Sequence, residues 1–386
     1  MKRMRSHRFQ RRGNVVIVTA ATVTTVFAFG ALTIDLGSLY VARAELQRAA
    51  DAAALAGAWR MIDQDRLLGN NAMDGILAAA TQEVHRFGEM NKVLNLQNVV
   101  VTGEDMNMGR WNFAGGANQS IDGSVPGMEY NGVTIRILRN DQRSGSIAAT
   151  FAQLLGFDSF NVGAQSTAAF DDTIRGYRVN EQTGNADLLP FALKVATWED
   201  FVGGTIYAGD NYTYNVDGTV TTGADGIQEI NLYPGAGLGQ LPPGNFGTVD
   251  IGGSNNSTND IARQILHGIN ADDLSHFGGQ LVFDENGVID LNGDTGLSAG
   301  VKDELAAIVG EPRGIPLFRS VAGNGNNANF EVVGFAGVRI MDVKLTGSMK
   351  SKYLIVQPAI VVDDAALGGG IAGTSYNVLR PAQIVE

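Results

Sequence analysis

The chain has 386 residues, 50 of them glycine and none cysteine, with a formal net charge of −12. The lack of cysteine excludes disulfides, iron–sulfur clusters, cysteine-ligated zinc and thiol catalysis. The charge is uneven: Lys2, Arg3, Arg5, Arg8, Arg11 and Arg12 precede any acid, and the 22 other basic residues face 40 acidic ones, a net of −18. A body that acidic repels phosphate backbones, which argues against nucleic-acid binding. The abundant glycine points to many turns and a loop-rich, largely β body.

Residues 15–34, VVIVTAATVTTVFAFGALTI, carry no charge. As a helix they would span roughly 30 Å, the hydrocarbon thickness of a bilayer. Thr19, Thr22, Thr24, Thr25 and Thr33 lower the hydropathy, but a helical threonine can return its hydroxyl to the preceding turn. The basic residues upstream predict a single-pass anchor in the cytoplasmic membrane, residues 1–12 in the cytoplasm and the body outside it. A cleaved secretory signal is the competing reading, with Ala28-Phe29-Gly30 as a small-x-small site. The apolar run is longer than a usual signal core, which favours an uncleaved anchor.

From Asp35 the pattern is helical. Leu36, Leu39, Tyr40, Leu46, Ala49, Ala50, Ala53 and Ala56 recur at three- and four-residue steps, with Arg43, Gln47, Arg48 and Asp51 on a polar face. Arg48 and Asp51 are spaced to pair weakly. No proline interrupts residues 15–56, so the apolar helix is expected to run on without a break. Alanine is the best helix former and lets a neighbour approach closely. Asp35, Tyr40, Arg43, Leu46, Ala50 and Ala53 are therefore candidate helix-interaction residues, facing either a partner helix or the chain's own domain.

The apolar run closed by IDLGSLYVARAELQRAADAAALAGA resembles the N-terminal segment of TadE/TadG-like proteins of Flp (tight-adherence) pilus assembly. The resemblance implies a single-pass envelope protein that serves the assembly or anchoring of a thin pilus, with the membrane and other Flp/Tad proteins as partners. Pilin-like members resemble a basic stretch, a glycine and a glutamate five residues on. Here Gly13 follows Arg11 and Arg12, but the fifth residue is Val18, so the uncleaved TadG-like branch fits better. A von Willebrand A cation site would resemble D-x-S-x-S. Asp35-Leu36-Gly37-Ser38-Leu39 fails its last serine, which implies a TadG-like chain without that domain.

Downstream, residues 69–88 read as a second helix with Met73, Ile76, Leu77, Ala80, Val84 and Phe87 on one face. Residues 96–101 read as a strand, and 104–113 (EDMNMGRWNF) as a turn similar to one in TadG-like proteins. Residues 132–137 alternate like a strand, 147–157 read as a short amphipathic helix, and 160–170 as a closing strand. Beyond Asp172 the chain turns mainly β. Residues 212–220 form a hairpin around Asp217-Gly218, and 281–291 another around Asn286-Gly287. Residues 298–309 form a helix capped by Ser298 and stopped by Gly310. Residues 315–321, 330–345 and 353–362 are β-rich. The expected whole is α+β: a basic tail (1–12), a transmembrane helix (13–34), a helix plus αβ module (35–172) and a mainly β extracytoplasmic domain (173–386).

Catalytic chemistry is sparse. His7, His85, His267 and His276 have no metalloprotease spacing, and no nucleophile elbow, P-loop or dinucleotide fingerprint occurs. The sequence argues against an enzyme and calls for no cofactor. One candidate metal loop remains: Asp290, Asn292 and Asp294 place oxygen ligands at alternate residues, as calcium prefers. Its sixth position is Thr295 rather than glycine and its twelfth is Val301 rather than glutamate. The bland account is a strand end and acid before the helix that Ser298 caps. The sequence thus points to a structural or accessory protein of Flp/Tad pilus assembly and leaves oligomerisation open. The alternative is a calcium- or glycan-binding surface module on the same anchor.

Overall fold

In the computed structural model, residues 14–94, 101–116, 119–206, 209–233, 246–253, 257–294, 298–323, 328–348, 351–370 and 375–385 are described. The first element, α1 (Asn14–Arg60), is one unbroken helix of 47 residues. Its first half is apolar all round and exposed. Thr22, Thr24, Thr25 and Thr33 donate their hydroxyls to the carbonyls of Val18, Ala20, Ala21 and Phe29 at 2.8–2.9 Å. Each hydroxyl is thereby satisfied within the helix, as a water-free surrounding would require.

At Asp35 burial begins. Ala42, Leu46, Ala49, Ala50, Ala53, Ala54 and Ala58 are fully buried, with the three- and four-residue spacing of a single stripe. They pack on α2 (Asn70–Met90) and on a four-stranded antiparallel sheet. Its order is β1 (Met106–Gly109), β2 (Gly132–Arg139), β5 (Val162–Ala169) and, at the far edge, Gln383–Ile384. The sheet is therefore completed by the end of the chain. Gly57 sits where α1, α2 and β2 converge: a Cβ there would lie 2.6 Å from Val84 Cγ2 and 3.1 Å from Val133 Cγ1.

Two local expectations change here. Within 104–113, expected as a turn, Met106–Gly109 pair with β2 as a strand. Residues 147–157 do not form an amphipathic helix. They belong to a hairpin, β3 (Ile147–Ala148) with β4 (Ser159–Phe160), whose tip holds one 3-10 turn, Ala152–Leu155. Gly156, at φ +89°, ends that turn in the left-handed region that glycine tolerates. The strand expected at 96–101 lies almost wholly outside the described residues.

The rest of the chain is organised around a second, larger sheet. Five strands close a ring: Ala328–Lys344 pairs with Ile289–Asp294, then Phe246–Val249, Phe191–Lys194, Pro312–Ala322 and back to Ala328–Lys344. Closure leaves no free edge within the ring. Tyr353–Pro358 and Ile230–Asn231 extend the sheet beyond it. Phe191, Phe318, Phe330 and Phe335 are buried in this region, and helix α3 (Val195–Val202) adds Trp198 and Phe201. The hairpin Tyr212–Tyr214 with Val220–Thr222 forms as its Asp-Gly turn predicts. The segment 281–291 does turn at Asp284–Val288, but it is no hairpin: Leu281–Val282 pairs with Gly176–Tyr177 while Ile289–Asp294 joins the ring. The helix expected over 298–309 is split into a 3-10 turn Ala299–Val301 and a helix Lys302–Ala307, with Ser298 and Gly310 at the expected ends.

Candidate functional site on the long helix

Asp35, the first charge after the apolar run, is 2% exposed. Its carboxylate accepts backbone N–H bonds from Thr150 (2.9 Å), Phe151 (2.9 Å) and Ala152 (2.6 Å). These donors belong to the start of the 3-10 turn at the hairpin tip, where no backbone partner exists for them. Burial works to raise the Asp35 carboxyl, but the three donors outweigh it and hold it below the usual carboxylate range. Asp35 thus clamps the β3–β4 tip onto α1.

The remaining candidates on α1 separate into two groups. Leu46, Ala50 and Ala53 lie in the chain's own core, against α2 and the sheet. Tyr40 is 77% exposed and Arg43 is exposed as well. Arg43 lines a cleft of about 600 Å3 with Gln47, Arg136 and Arg139, beside β2 and β5. Gln47 donates to the Gln165 carbonyl at 3.0 Å and to Asp51 at 2.8 Å, so Asp51 bonds with Gln47 rather than with Arg48. On the opposite flank, Ala52, Leu55, Ala56 and Trp59 of α1 form an open groove of about 580 Å3 with Glu83 and Phe87 of α2. The groove floor is mostly apolar, and Trp59 on its wall is 45% exposed. The sequence pattern concealed this flank, because the small apolar residues that floor the groove alternate along the helix with those that form the buried stripe.

The candidate calcium ligands occupy a strand, not a loop. Asp290, Asn292 and Asp294 fall on Ile289–Asp294, where Asp290 Oδ1 accepts from the Asn329 amide at 3.2 Å and the Asn292 amide donates to the Ala328 carbonyl at 3.3 Å. An extended strand spaces alternate side chains roughly 6.5–7 Å apart, whereas a calcium loop folds its ligands around one point. Among the described residues no group of three or more His, Cys, Asp or Glu side chains is placed to hold a metal. His85 lies on α2, His267 ends the helix Thr258–His267, and His276 follows the short helix Ala271–Ser275.

A model of the putative Flp pilus-assembly TadE/G-like family matches residues 13–60. Residues 14–60 of that match are α1, the apolar half and the buried stripe together. No curated protein and no solved structure matches the chain. Among the described residues one helix is long and apolar enough to cross a membrane, and it is this one. An apolar helix and a pilus-assembly family model on the same residues fit a membrane protein associated with Flp/Tad pili, a structural or accessory class rather than an enzymatic one.

Proposed function

We propose that the chain is a membrane-anchored, extracytoplasmic structural or accessory protein of a bacterial Flp/Tad-type pilus assembly system. The carrying observation is the change of character along α1. One continuous helix is an exposed apolar cylinder up to Ile34 and a one-sided core helix from Asp35. The basic residues ahead of it favour the cytoplasm for the N-terminus and the far side of the membrane for the body. The body divides near residue 172 into the α1–α2 module and the ring-shaped β region, with Gln383–Ile384 returning to the first sheet. Other Flp/Tad proteins would meet the module at the groove between α1 and α2. Small residues there admit a close helix, and Trp59 offers an aromatic anchor.

Alkaline phosphatase fused after Glu386 tests the orientation: activity is expected, and an inactive but stable fusion would place the body in the cytoplasm. Deleting the gene in a piliated host tests the role. Loss or shortening of pili by electron microscopy is the expected result, and normal pili would overturn it. A photo-crosslinking residue at Leu55 should capture a pilus protein, whereas one at the buried Ala53 should not.

A further inference from the structure

Contacts along α1 give each part of the module a height on the helix, at about 1.5 Å per residue. Gly57 lies against Val133 near the start of β2, Gln47 against Gln165 of β5, and Asp35 against residues 150–152. The strand β2 and the hairpin that follows it thus descend along α1, over about 30 Å, towards its apolar half. The β3–β4 tip reaches the level at which the apolar run begins.

That tip is unusual for a loop in so acidic a body. Residues 144–157, SGSIAATFAQLLGF, carry no charge. Phe151 is 36% exposed and Phe157 is 58% exposed. At a similar height on α1, Ile34, Leu36 and Tyr40 are exposed at 57%, 49% and 77%, so both the tip and the helix present apolar surface at this level. Six backbone N–H groups of the tip are bonded within the protein. Three N–H groups go to Asp35, Ala149 donates to the Asp158 carbonyl, Gly156 to Gln153 and Phe157 to Ala152. A segment that leaves bulk water needs that closure, and aromatic side chains are favoured at the boundary between headgroups and acyl chains.

We propose that the β3–β4 tip is a second membrane contact, an aromatic foot that places Phe151 and Phe157 in the bilayer interface and is held at that depth by Asp35. This rests on the reading of α1 as a membrane anchor. The foot would fix the tilt and rotation of the body over the membrane, which a single helix leaves free.

The chain has no cysteine, so a single introduced one reports unambiguously. The full chain would be reconstituted in phosphatidylcholine–phosphatidylglycerol vesicles with a spin label at Phe157→Cys, Phe27→Cys or Val216→Cys. Accessibility to oxygen and to an aqueous nickel chelate is then compared. The Phe157 and Phe27 labels should favour oxygen, and the label at Val216, on the fully exposed turn of a distant hairpin, should favour the chelate. A Phe157 label that favours the chelate while Phe27 stays in lipid overturns the foot and leaves the anchor standing. If Phe27 also favours the chelate, the anchor itself fails, and the foot with it. In an Asp35→Ala background the Phe157 label should move towards the chelate with Phe27 unchanged; no movement would remove Asp35 from the proposal.

Discussion

The two sheets bury their faces with opposite kinds of side chain. On the four-stranded sheet the helical cover is alanine: Ala42, Ala49, Ala50, Ala53, Ala54 and Ala58 of α1 meet Ala80 and Val84 of α2 and Ala164 and Ala168 of β5. Around the ring, large aromatic side chains pack edge to face, Phe318 on Phe330 at 5.0 Å and Tyr177 on Phe335 at 5.0 Å. Alanine contributes little area per residue but brings helix axes together and costs no side-chain entropy. Aromatic residues bury far more area each and depend on their neighbours' shapes. The first region should therefore fail when a residue is enlarged, and the second when one is truncated.

The largest effect is expected in the ring. Trp198 is fully buried, 5.8 Å from Phe201 between ring centroids, and Trp198→Ala should cost about 3–5 kcal/mol. Urea denaturation in detergent, followed by circular dichroism at a helical wavelength, checks both the loss and its reach. If α1 and α2 unfold at an unshifted midpoint, the two regions are separate cooperative units. A single shifted transition would show that contacts such as Gln64 with Ile360, bonded both ways at 3.0 and 3.1 Å, bind them into one.

A pH effect from a raised carboxyl belongs to the ring side. Asp363 is buried, and that burial, aided by the neighbouring Asp187 and Asp364 charges, pushes its carboxyl up to about 6 despite backbone bonds from Ala365 and Asp187. Asp187 is raised as well by burial, although Arg313 pulls it down. Because the folded value is raised, the native state keeps its proton while the unfolded chain loses it. The stability contributed is present below about pH 4 and disappears as pH rises through 6, a loss of roughly 3 kcal/mol. Wild type and Asp363→Asn should therefore differ most in how melting temperature changes between pH 4 and 7, with the variant losing less. Parallel curves would show that Asp363 does not titrate in this window.

In the alanine seam, Ala53→Leu should cost about 1–3 kcal/mol by overpacking against Gly88, to which the Ala53 Cβ is already a near neighbour. Ala56→Leu, one turn on and at the groove, should stay within about 0.5 kcal/mol. Denaturant midpoints of the two variants compare them directly. Equal costs would mean that the groove is already filled.

What the sequence made legible follows from how local each cause is. α1 was readable because its apolar run, its alanine stripe and its freedom from proline all act within a few residues. The turns at Asp217-Gly218 and the ends at Ser298 and Gly310 were readable for the same reason. The helix Thr258–His267 was missed although Ser257 accepts from the Asp260 N–H as an N-cap should, because its short apolar face is hidden among polar neighbours. Ring closure depends on pairings between strands far apart in the chain, and no local pattern announces it. The partners of Asp35 lie 115–117 residues away, so its position was marked by sequence and its task was not. The last strand shows the same limit: Gln383–Ile384 looks unremarkable until β5 is found beside it.

The smallest expected effect tests how much of α1 is free surface. Tyr40 lies five residues past Asp35, about 7.5 Å along the helix, and is 77% exposed. In detergent, Tyr40→Ala should change stability by no more than about 0.5 kcal/mol, since the side chain has little to lose on the protein itself. An aromatic ring at that height is placed for the headgroup layer instead. The same substitution in vesicles should therefore change the orientation of the body, read as a shift in the Phe157 spin-label accessibility, while the melting temperature in detergent stays put. A loss well above 1 kcal/mol in detergent would show that Tyr40 is held by the fold, and that the exposed side of α1 is narrower than its sequence pattern implies.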